Sequence, residues 1–237
     1  EIQTAENGFR MDGILRSRSG DVTGILHGVD TQVWNPSKDK KIPQNYTVKT
    51  LELKGKNKAA LQERMGLEVN PDVPLFGIIT RLADQKGIAE LFAPSYGCAY
   101  RLCTQMNIQM VVLGSGEQWC ENELRSLESK LPNFKAYIGY DDGLSHLIEA
   151  GADFFIMPSR YEPCGLNQMY SLLYGTLPIV RRTGGLADTV QNYNEATGDG
   201  TGFVMDALTP DAVFDTIGWA VYAWYNKPKH IEQMKVR

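Results

Sequence analysis

Two cations flank a short turn in the segment TRLADQKG, residues 80–87. The segment follows an apolar run and precedes a stretch with helical spacing. The start of a helix favours anions because its first N–H groups are unpaired. Arginine can bind phosphate oxygens through two parallel hydrogen bonds, and lysine supplies a mobile point charge. Arg81 and Lys86 are therefore candidates for binding a diphosphate, although an Arg/Lys pair taken alone is more often a solvated surface feature.

A carboxylate lies in a second unusual loop, SRYEPCGL at residues 159–166. Pro163 restricts Glu162 to an extended or turn conformation, and Gly165 lets the backbone reverse before a helix predicted to begin near Leu166. An acidic side chain that faced the helix start would repel phosphate, so Glu162 is better suited to accept hydrogen bonds from sugar hydroxyls. The alternative is a carboxylate that only interacts with the helix dipole. Cys164 is interpreted as a packed thiol, because no adjacent histidine supports a thiolate.

Three further loops could contact a ligand. The GSG sequence that begins at Gly114 permits a tight turn, but it lacks the third glycine of the dinucleotide fingerprint. Tyr140 could stack on a base or simply pack in the fold. The TGG sequence at residues 183–185 precedes a predicted helix and would expose successive amides, as in an anion-binding nest. The chain has no P-loop sequence, which argues against a P-loop nucleotidase.

All of these loops follow short apolar runs that alternate with amphipathic stretches. The apolar residues are mostly consecutive, which is typical of strands covered on both faces in a parallel sheet. The alternation predicts a doubly wound α/β sheet with ligands at the carboxyl ends of the strands. The predicted strands are Leu75–Ile79, Gln109–Leu113, Phe134–Ile138, Phe154–Met157, Leu177–Val180 and Gly202–Met205, and the predicted helices are Lys54–Leu67, Ile88–Met106, Gln118–Leu131, Gly143–Ala150, Leu166–Tyr174 and Pro210–Tyr225.

Residues 1–53 have a different character. They are polar and turn-rich and show no sustained periodicity, apart from an apolar piece at residues 24–30 that could be a strand or a connecting turn. We therefore predict a hinge or linker over residues 1–53 and one ligand-binding domain over residues 54–237. The chain opens with Glu1 rather than Met and shows no signal-peptide pattern, which suggests a cut or processed end.

Composition excludes several classes of protein. The 237 residues carry a net charge of −4 and 43% hydrophobic residues, which is ordinary for a globular chain. No basic stripe suggests a nucleic-acid partner, and no run approaches the ~18 apolar residues of a membrane helix. The four cysteines and three histidines are scattered, so a disulfide framework or a zinc site has weak support and no metal or cofactor is expected.

Together the loops offer cations, phosphate-binding amides, a stacking ring and a sugar-reading carboxylate, which is what a nucleotide-diphospho-sugar requires. The segments SRYEPCGL (159–166) and RRTGGLADTV (181–190) closely resemble bacterial glycogen synthases and plant starch synthases, as do TRLADQKG (80–87) and GILHGVD (24–30). The resemblance runs through nearly the whole chain. It implies the C-terminal half of a GT-B glycosyltransferase, in which two Rossmann-like domains close on a cleft and the C-terminal one binds ADP-glucose.

This resemblance also implies roles for individual residues. Arg81 and Lys86 would neutralise the diphosphate, and Glu162 would contact the glucosyl hydroxyls. The intact enzyme would transfer glucose to the non-reducing end of an α-1,4-glucan with retention, without a required metal. The residues implied to bind the donor are Gly114, Tyr140, Cys164, Gly165, Leu166, Asn167, Thr183, Gly184 and Gly185.

The sequence also departs from the family. Tyr170 replaces the second glutamate of the wider GT-B pattern, which leaves the ribose contacts unassigned. The Lys-x-Gly-Gly-Leu loop and the N-terminal domain that would bind the glucan acceptor are absent, so the fragment alone is expected to be nearly inactive. Two alternatives stay open: a GT-B transferase that uses UDP-glucose or another acceptor, and a non-catalytic nucleotide- or glucan-binding module. The expected location is the cytoplasm for a bacterial protein and a plastid for a plant one.

Overall fold

The computed structural model describes residues 2–237, in which six parallel strands form one sheet in the order β3-β2-β1-β4-β5-β6. The chain leaves the middle of the sheet in one direction through β2 and β3 and returns to the middle to continue through β4, β5 and β6. This order confirms the predicted doubly wound α/β fold. The strands are β1 (Leu75–Ile79), β2 (Gln109–Gly114), β3 (Phe134–Ile138), β4 (Phe154–Met157), β5 (Leu177–Arg181) and β6 (Phe203–Met205).

Helices cover both faces of this sheet. Leu75 and Phe76, consecutive in β1, belong to separate hydrophobic clusters on opposite faces, so the consecutive apolar residues of the strands are buried on both sides as expected. The helices are α1 (Asp12–Ser17), α2 (Lys54–Met65), α3 (Ile88–Phe92), α4 (Ala99–Gln105), α5 (Gln118–Lys130), α6 (Asp142–Gly151), α7 (Asn167–Leu173), α8 (Gly184–Thr189), α9 (Pro210–Asn226) and α10 (Pro228–Lys235).

The prediction of a single helix over Ile88–Met106 is wrong. The structure has two short helices there, α3 and α4, separated by the segment around Pro94. A proline disfavours the helical conformation of the residue before it, and Ala93 indeed adopts φ −57° and ψ 130°. Helix α10 was not predicted. The helix predicted over Lys54–Leu67 ends at Met65, because Gly66 caps it in a left-handed conformation with φ at +70°.

The segment from Trp34 to Leu53 packs against α6 and α7. The ring of Trp34 lies between those of His146 and Tyr170, with centroid distances of 3.8 and 3.9 Å. Asp39 pairs with Nδ1 of His146 at 2.7 Å and accepts a hydrogen bond from the Tyr174 hydroxyl at 2.6 Å. The segment therefore has a buried polar anchor on the domain.

The predicted hinge region covers residues 1–53, and its first residue lies outside the described residues. Within the described part it contains α1 and two short 3-10 turns, and residues 24–30 form neither a helix nor a strand. The boundary at residue 53 stays a prediction. No helix of residues 2–237 combines the length and the apolar character needed to cross a membrane.

Candidate functional site

A cleft of about 560 Å³ opens at the carboxyl ends of β1 and β4. Strand order reverses at this point, which is where ligands bind in open α/β sheets. Its volume lies in the range of small-molecule sites. The residues predicted from the sequence that line it are Arg81, Lys86, Gly114, Tyr140, Glu162, Cys164, Gly165, Leu166 and Asn167.

The centre of the cleft holds an ion pair between the two loops. Nζ of Lys86 lies 2.5 Å from Oε2 of Glu162, and both side chains are largely buried. The hydroxyl of Ser159 donates to the same oxygen at 3.1 Å. Within residues 2–237, Oε1 of Glu162 takes part in no hydrogen bond. Because an ammonium group has three donors, Lys86 can keep Glu162 and still offer donors to a ligand.

The lysine is positioned by a short 3-10 turn at Asp84–Lys86. Gly87 ends the turn with φ at +68°, and a Cβ at this position would lie 2.1 Å from the carbonyl oxygen of Pro158. Only glycine therefore allows the loop after β1 to approach the loop after β4 so closely. Neighbouring support comes from Glu117, whose Oε1 accepts a hydrogen bond from the N–H of Asp84 at 3.0 Å.

Arg81 lies at the mouth of the cleft with an exposed side chain. Its Nη2 donates a hydrogen bond to Oε1 of Gln85 at 3.2 Å. No acidic side chain in residues 2–237 forms an ion pair with it. The guanidinium is therefore oriented but not neutralised, as a phosphate-binding group requires.

The start of α7 forms the floor beside Glu162. Gly165 turns the chain with φ at +72°, and the side chain of Asn167 donates to the carbonyl of Ile79 at the end of β1, at 3.1 Å. The fully buried Gln168 donates to the carbonyl of Cys164 at 3.0 Å and to the Thr189 hydroxyl. These contacts fix the backbone of the loop after β4 and the first N–H groups of the helix, which have no intrahelical partners.

Tyr140 stands at the other end of the cleft, after β3, and its side chain is 84% exposed. The ring is free of packing and available to a planar ligand. Gly114 lies nearby, and a Cβ there would meet the carbonyl oxygen of Thr80 at 2.0 Å. Asp141 caps the start of α6, and its Oδ1 accepts a hydrogen bond from the N–H of Leu144 at 2.7 Å.

The carboxylates at the start of α6 are matched by cations from other elements. Arg64 of α2 lies 2.6 Å from Asp141, and Lys41 lies 2.5 Å from Asp142. The hydrogen bond from Lys41 lowers the pKa of Asp142 below its usual value. Both carboxylates therefore hold the start of α6 against α2 and against the segment from Trp34 to Leu53, and neither lines the cleft.

Thr183, Gly184 and Gly185 are not brought into this cleft. The N–H of Gly185 donates to the backbone carbonyl of Glu162 at 3.0 Å, and a Cβ on Gly185 would lie 2.0 Å from the carbonyl oxygen of Cys164. In this structure Gly185 thus serves close packing of α8 against the loop after β4. Donor contact by these three residues stays a prediction, and the N–H of Gly185 would have to leave Glu162 to make one.

The two arginines before this turn also lie away from the cleft. Arg182 pairs with Asp206 at 2.5 Å, and Arg181 donates to the backbone carbonyl of Arg160. Neither adds its charge to the Arg81 and Lys86 region.

Sequence reasoning did not assign several residues of the cleft. His27 and Ser145 line it, and the N–H of His27 donates to Sγ of Cys164 at 3.4 Å. The available signal for His27 was its place in the segment GILHGVD; Ser145 carried none. All four cysteines are unpaired and buried, and burial raises the pKa of Cys98, Cys103 and Cys120.

Comparisons with known proteins agree with this geometry. Residues 62–234 match the family model described as glycosyl transferases group 1. The chain is 68% identical to a glycogen synthase of Treponema denticola over 237 residues, which is all of this chain and 48% of that protein. It is 44% identical to a glycogen synthase of Thermotoga maritima over 231 residues, 97% of this chain and 46% of that protein.

The fold agrees as well. The structure matches the catalytic domain of starch synthase IV from Arabidopsis thaliana, solved with ADP and acarbose, with a TM-score of 0.91 and 32% identity over 100% of this chain and 48% of that one. The resemblance to glycogen and starch synthases is thereby confirmed. The chain spans about half the length of the curated relatives it matches. It belongs to the glycosyl transferases of group 1.

Proposed function

We propose that this chain is the donor-binding part of a glucan synthase. It binds ADP-glucose, and the intact protein transfers the glucose to the non-reducing 4-hydroxyl of an α-1,4-glucan with retention of configuration. The observation that carries the proposal is the meeting of Arg81, Lys86 and Glu162 in one cleft at the strand-order reversal. The similarity to glycogen synthases and to a starch synthase solved with ADP supports the choice of donor and acceptor.

The two cations act on the leaving group. As the glycosidic bond breaks, negative charge grows on the distal phosphate of ADP. Arg81 and Lys86 stabilise this charge more strongly in the transition state than in the ground state, which lowers the barrier. Lys86 does so from a fixed position, because one of its donors stays with Glu162.

Glu162 positions the sugar. Its Oε2 is held by Lys86 and Ser159, which leaves Oε1 directed to the hydroxyls of the glucosyl group. Both oxygens of the carboxylate are then used, one for the protein and one for the substrate. The rate of transfer falls steeply when the sugar ring is misplaced, since small displacements from the reactive geometry raise the barrier.

The carboxylate content of this part of the site agrees with the proposed stereochemical course. Among described residues, Glu162 is the one acidic side chain that lines it, whereas glycosidases use two carboxylates at defined spacing. We therefore propose front-face attack, in which the acceptor hydroxyl gives its proton to the departing phosphate and no second protein carboxylate is needed.

The acceptor side belongs to the rest of the intact protein in this proposal. The chain covers about half of its relatives, and the cleft opens toward solvent at Arg81 and Tyr140. The glucan would reach the glucosyl group from the part of the protein outside this chain. Because the glycogen synthases reported above are bacterial, we also propose the bacterial cytoplasm as its location.

Turnover of the intact protein tests the proposal. Arg81→Ala and Lys86→Ala should each lower kcat with ADP-glucose and glycogen at least ~10²-fold, the range for lost electrostatic stabilisers. The matched control is Lys130→Ala, because Lys130 is an exposed lysine at the end of α5. Near-normal rates for both cleft variants would refute the assignment. Calorimetric titration with ADP-glucose and UDP-glucose in parallel decides the nucleotide, and a tighter UDP-glucose complex would contradict the proposed donor.

A further inference from the structure

Gln85 connects the two loops that meet at the cleft. It lies within the 3-10 turn, next to Lys86 and four residues after Arg81. Its Oε1 accepts a hydrogen bond from Nη2 of Arg81 at 3.2 Å, and its Nε2 donates to the backbone carbonyl of Tyr161 at 3.1 Å. Its own carbonyl accepts from the N–H of Arg160 at 2.8 Å. One residue of the loop after β1 thus makes two hydrogen bonds to the loop after β4 and one to a cleft cation.

These contacts require a side chain that both accepts and donates hydrogen bonds, as an amide does. A guanidinium can only donate, and a backbone carbonyl can only accept. The group between them must therefore accept on one side and donate on the other, which also fixes the orientation of the amide. A carboxylate at this position would place an oxygen against the carbonyl of Tyr161, and an apolar side chain would satisfy neither partner.

A second set of contacts holds the same two loops together. The guanidinium of Arg160 lies 3.0 Å from Asp84 and 2.6 Å from the buried Glu90 of α3. The loop after β4 is thus attached to the 3-10 turn at Asp84 and to α3 at Glu90. These Arg160 contacts do not involve the Gln85 side chain, whereas the hydrogen bond of the Arg81 guanidinium does.

We propose that Gln85 is a positioning residue for glucosyl transfer. Its amide holds the guanidinium of Arg81 toward the diphosphate and fixes the carbonyl of Tyr161, directly before Glu162. The phosphate-binding cation and the sugar-binding carboxylate are thereby kept at a spacing that one nucleotide-sugar can bridge. This inference rests on the proposed function of the cleft, since it assigns to Gln85 an action through Arg81.

The test is a double-mutant cycle in the intact protein, with ADP-glucose and glycogen as substrates. Gln85→Met keeps the side-chain length and removes both amide hydrogen bonds, and we expect kcat to fall about tenfold while KM for glycogen is unchanged. Gln85→Glu keeps an acceptor for Arg81 but pairs with its charge and repels the Tyr161 carbonyl, so its kcat should fall at least as far. In the Arg81→Ala background, Gln85→Met should cost less than about threefold, because the group it orients is gone.

Controls separate this inference from a general loss of structure. Gln105→Met is the matched control, because Gln105 is an exposed glutamine at the end of α4. It lies shortly before β2, near the amino-terminal ends of the strands and away from the cleft. It should leave kcat within twofold. The inference is overturned if Gln85→Met retains kcat within twofold, or if its loss is equal in the parent and in the Arg81→Ala background, as a purely structural role predicts. Failure of the proposed function looks different, since the parent would then not turn over ADP-glucose or Arg81→Ala would be fully active.

Discussion

One lysine–carboxylate pair lies at the amino-terminal ends of the strands, here called the amino edge, and another lies at their carboxyl ends, the carboxyl edge. The two pairs differ in how many of their donors and acceptors have hydrogen-bond partners. At the amino edge, before β4, Lys58 lies 2.7 Å from Asp153, with 6% of each side chain exposed. At the carboxyl edge, Lys86 lies 2.5 Å from Glu162, with 18% and 9% exposed. The residue chemistry is nearly the same, so the surroundings decide what each pair does.

The amino-edge pair is saturated. Asp153 also accepts from the N–H of Leu75 at 3.0 Å and lies 3.3 Å from Lys235. Lys58 donates to the carbonyl of Pro71, and its ammonium lies 4.9 Å from the ring centroid of Trp224. Burial alone would raise the pKa of Asp153, but the charges of Lys235 and Lys58 outweigh it and hold that pKa below its usual range.

The carboxyl-edge pair keeps unused capacity. Lys86 has donors beyond the one that it gives to Glu162, and Oε1 of Glu162 has no hydrogen bond within residues 2–237. Incomplete satisfaction costs stability, because a partly buried polar group without partners loses its hydration. A structural pair closes on itself, whereas a binding pair leaves atoms for the ligand.

The largest expected effect breaks the amino-edge pair. Asp153→Ala leaves Lys58 and Lys235 without their shared counter-ion, and we expect the free energy of unfolding of the chain to fall by about 3–5 kcal/mol. Glu162→Ala should cost much less stability, because Lys86 can turn toward solvent. Urea unfolding at pH 7 measures both; equal losses for the two variants would contradict the comparison.

A third buried carboxylate sharpens the comparison through its pH dependence. Burial raises the pKa of Glu149 to about 8, although the hydrogen bond from Ser171 and the charge of Lys54 oppose the rise. Its folded pKa exceeds the ordinary value of 4.5, so its contribution is complete below that pH and is lost as the pH rises toward 8. The contribution of Glu149 to stability should therefore fall between pH 5 and 7, by at most about 1.4 kcal/mol per pH unit.

The variant Glu149→Gln removes that titration. Its amide oxygen can still accept from the Ser171 hydroxyl, which lies 2.7 Å from Oε2 of Glu149. The slope of unfolding free energy against pH between 5 and 7 should become flatter than in the parent. Glu52→Gln, at an exposed glutamate, should leave the slope unchanged. An unaltered slope in Glu149→Gln would show that Glu149 is ionised in the folded chain.

The smallest expected effect concerns the open end of the cleft. Tyr140→Ala removes an exposed ring available for stacking, and we expect the affinity of the chain for ADP to fall about fivefold, or ~1 kcal/mol. Stability should change by less than about 0.5 kcal/mol. Tyr140→Phe keeps the ring and should bind normally, and Tyr222→Ala on α9 is the surface control. Calorimetric titration with ADP checks all three, and undiminished binding by Tyr140→Ala would remove the ring from the site.

Much of the fold could be predicted because its strands are encoded locally. β1, β3 and β4 have the predicted bounds, since consecutive apolar residues between turn signals can be read without tertiary information. The break between α3 and α4 has a local signal in Pro94, which the prediction of one helix over Ile88–Met106 did not use. Helix α10 was missed because it has few apolar residues. Ile231 and Met234 are buried in the core, and this burial is evident only once the chain has folded.

The location of the site could likewise be predicted from the sequence, whereas its hydrogen bonds could not. Residues directly after strands must lie at the carboxyl edge of a parallel sheet, which placed Arg81, Lys86 and Glu162 together. The conformations of the loops could not be predicted from local sequence. The N–H of Gly185, predicted to be available to a ligand, donates to the backbone carbonyl of Glu162 in the folded chain, and its contact with a donor stays a prediction. The roles of Gln85 and Ser159 were hidden for the same reason, since their partners lie in contacts that only the folded loops create.

By itself, the sequence determined the alternation of strands and helices, the edge at which the charged loops gather, and the family to which they are similar. Apolar periodicity and chain order carry that information, because burial and the geometry of parallel strands act on every residue alike. The tertiary structure decided which lysine–carboxylate pair is closed and which is open. That difference depends on a few ångströms of loop placement, where each hydrogen bond with the protein removes one that a ligand could make.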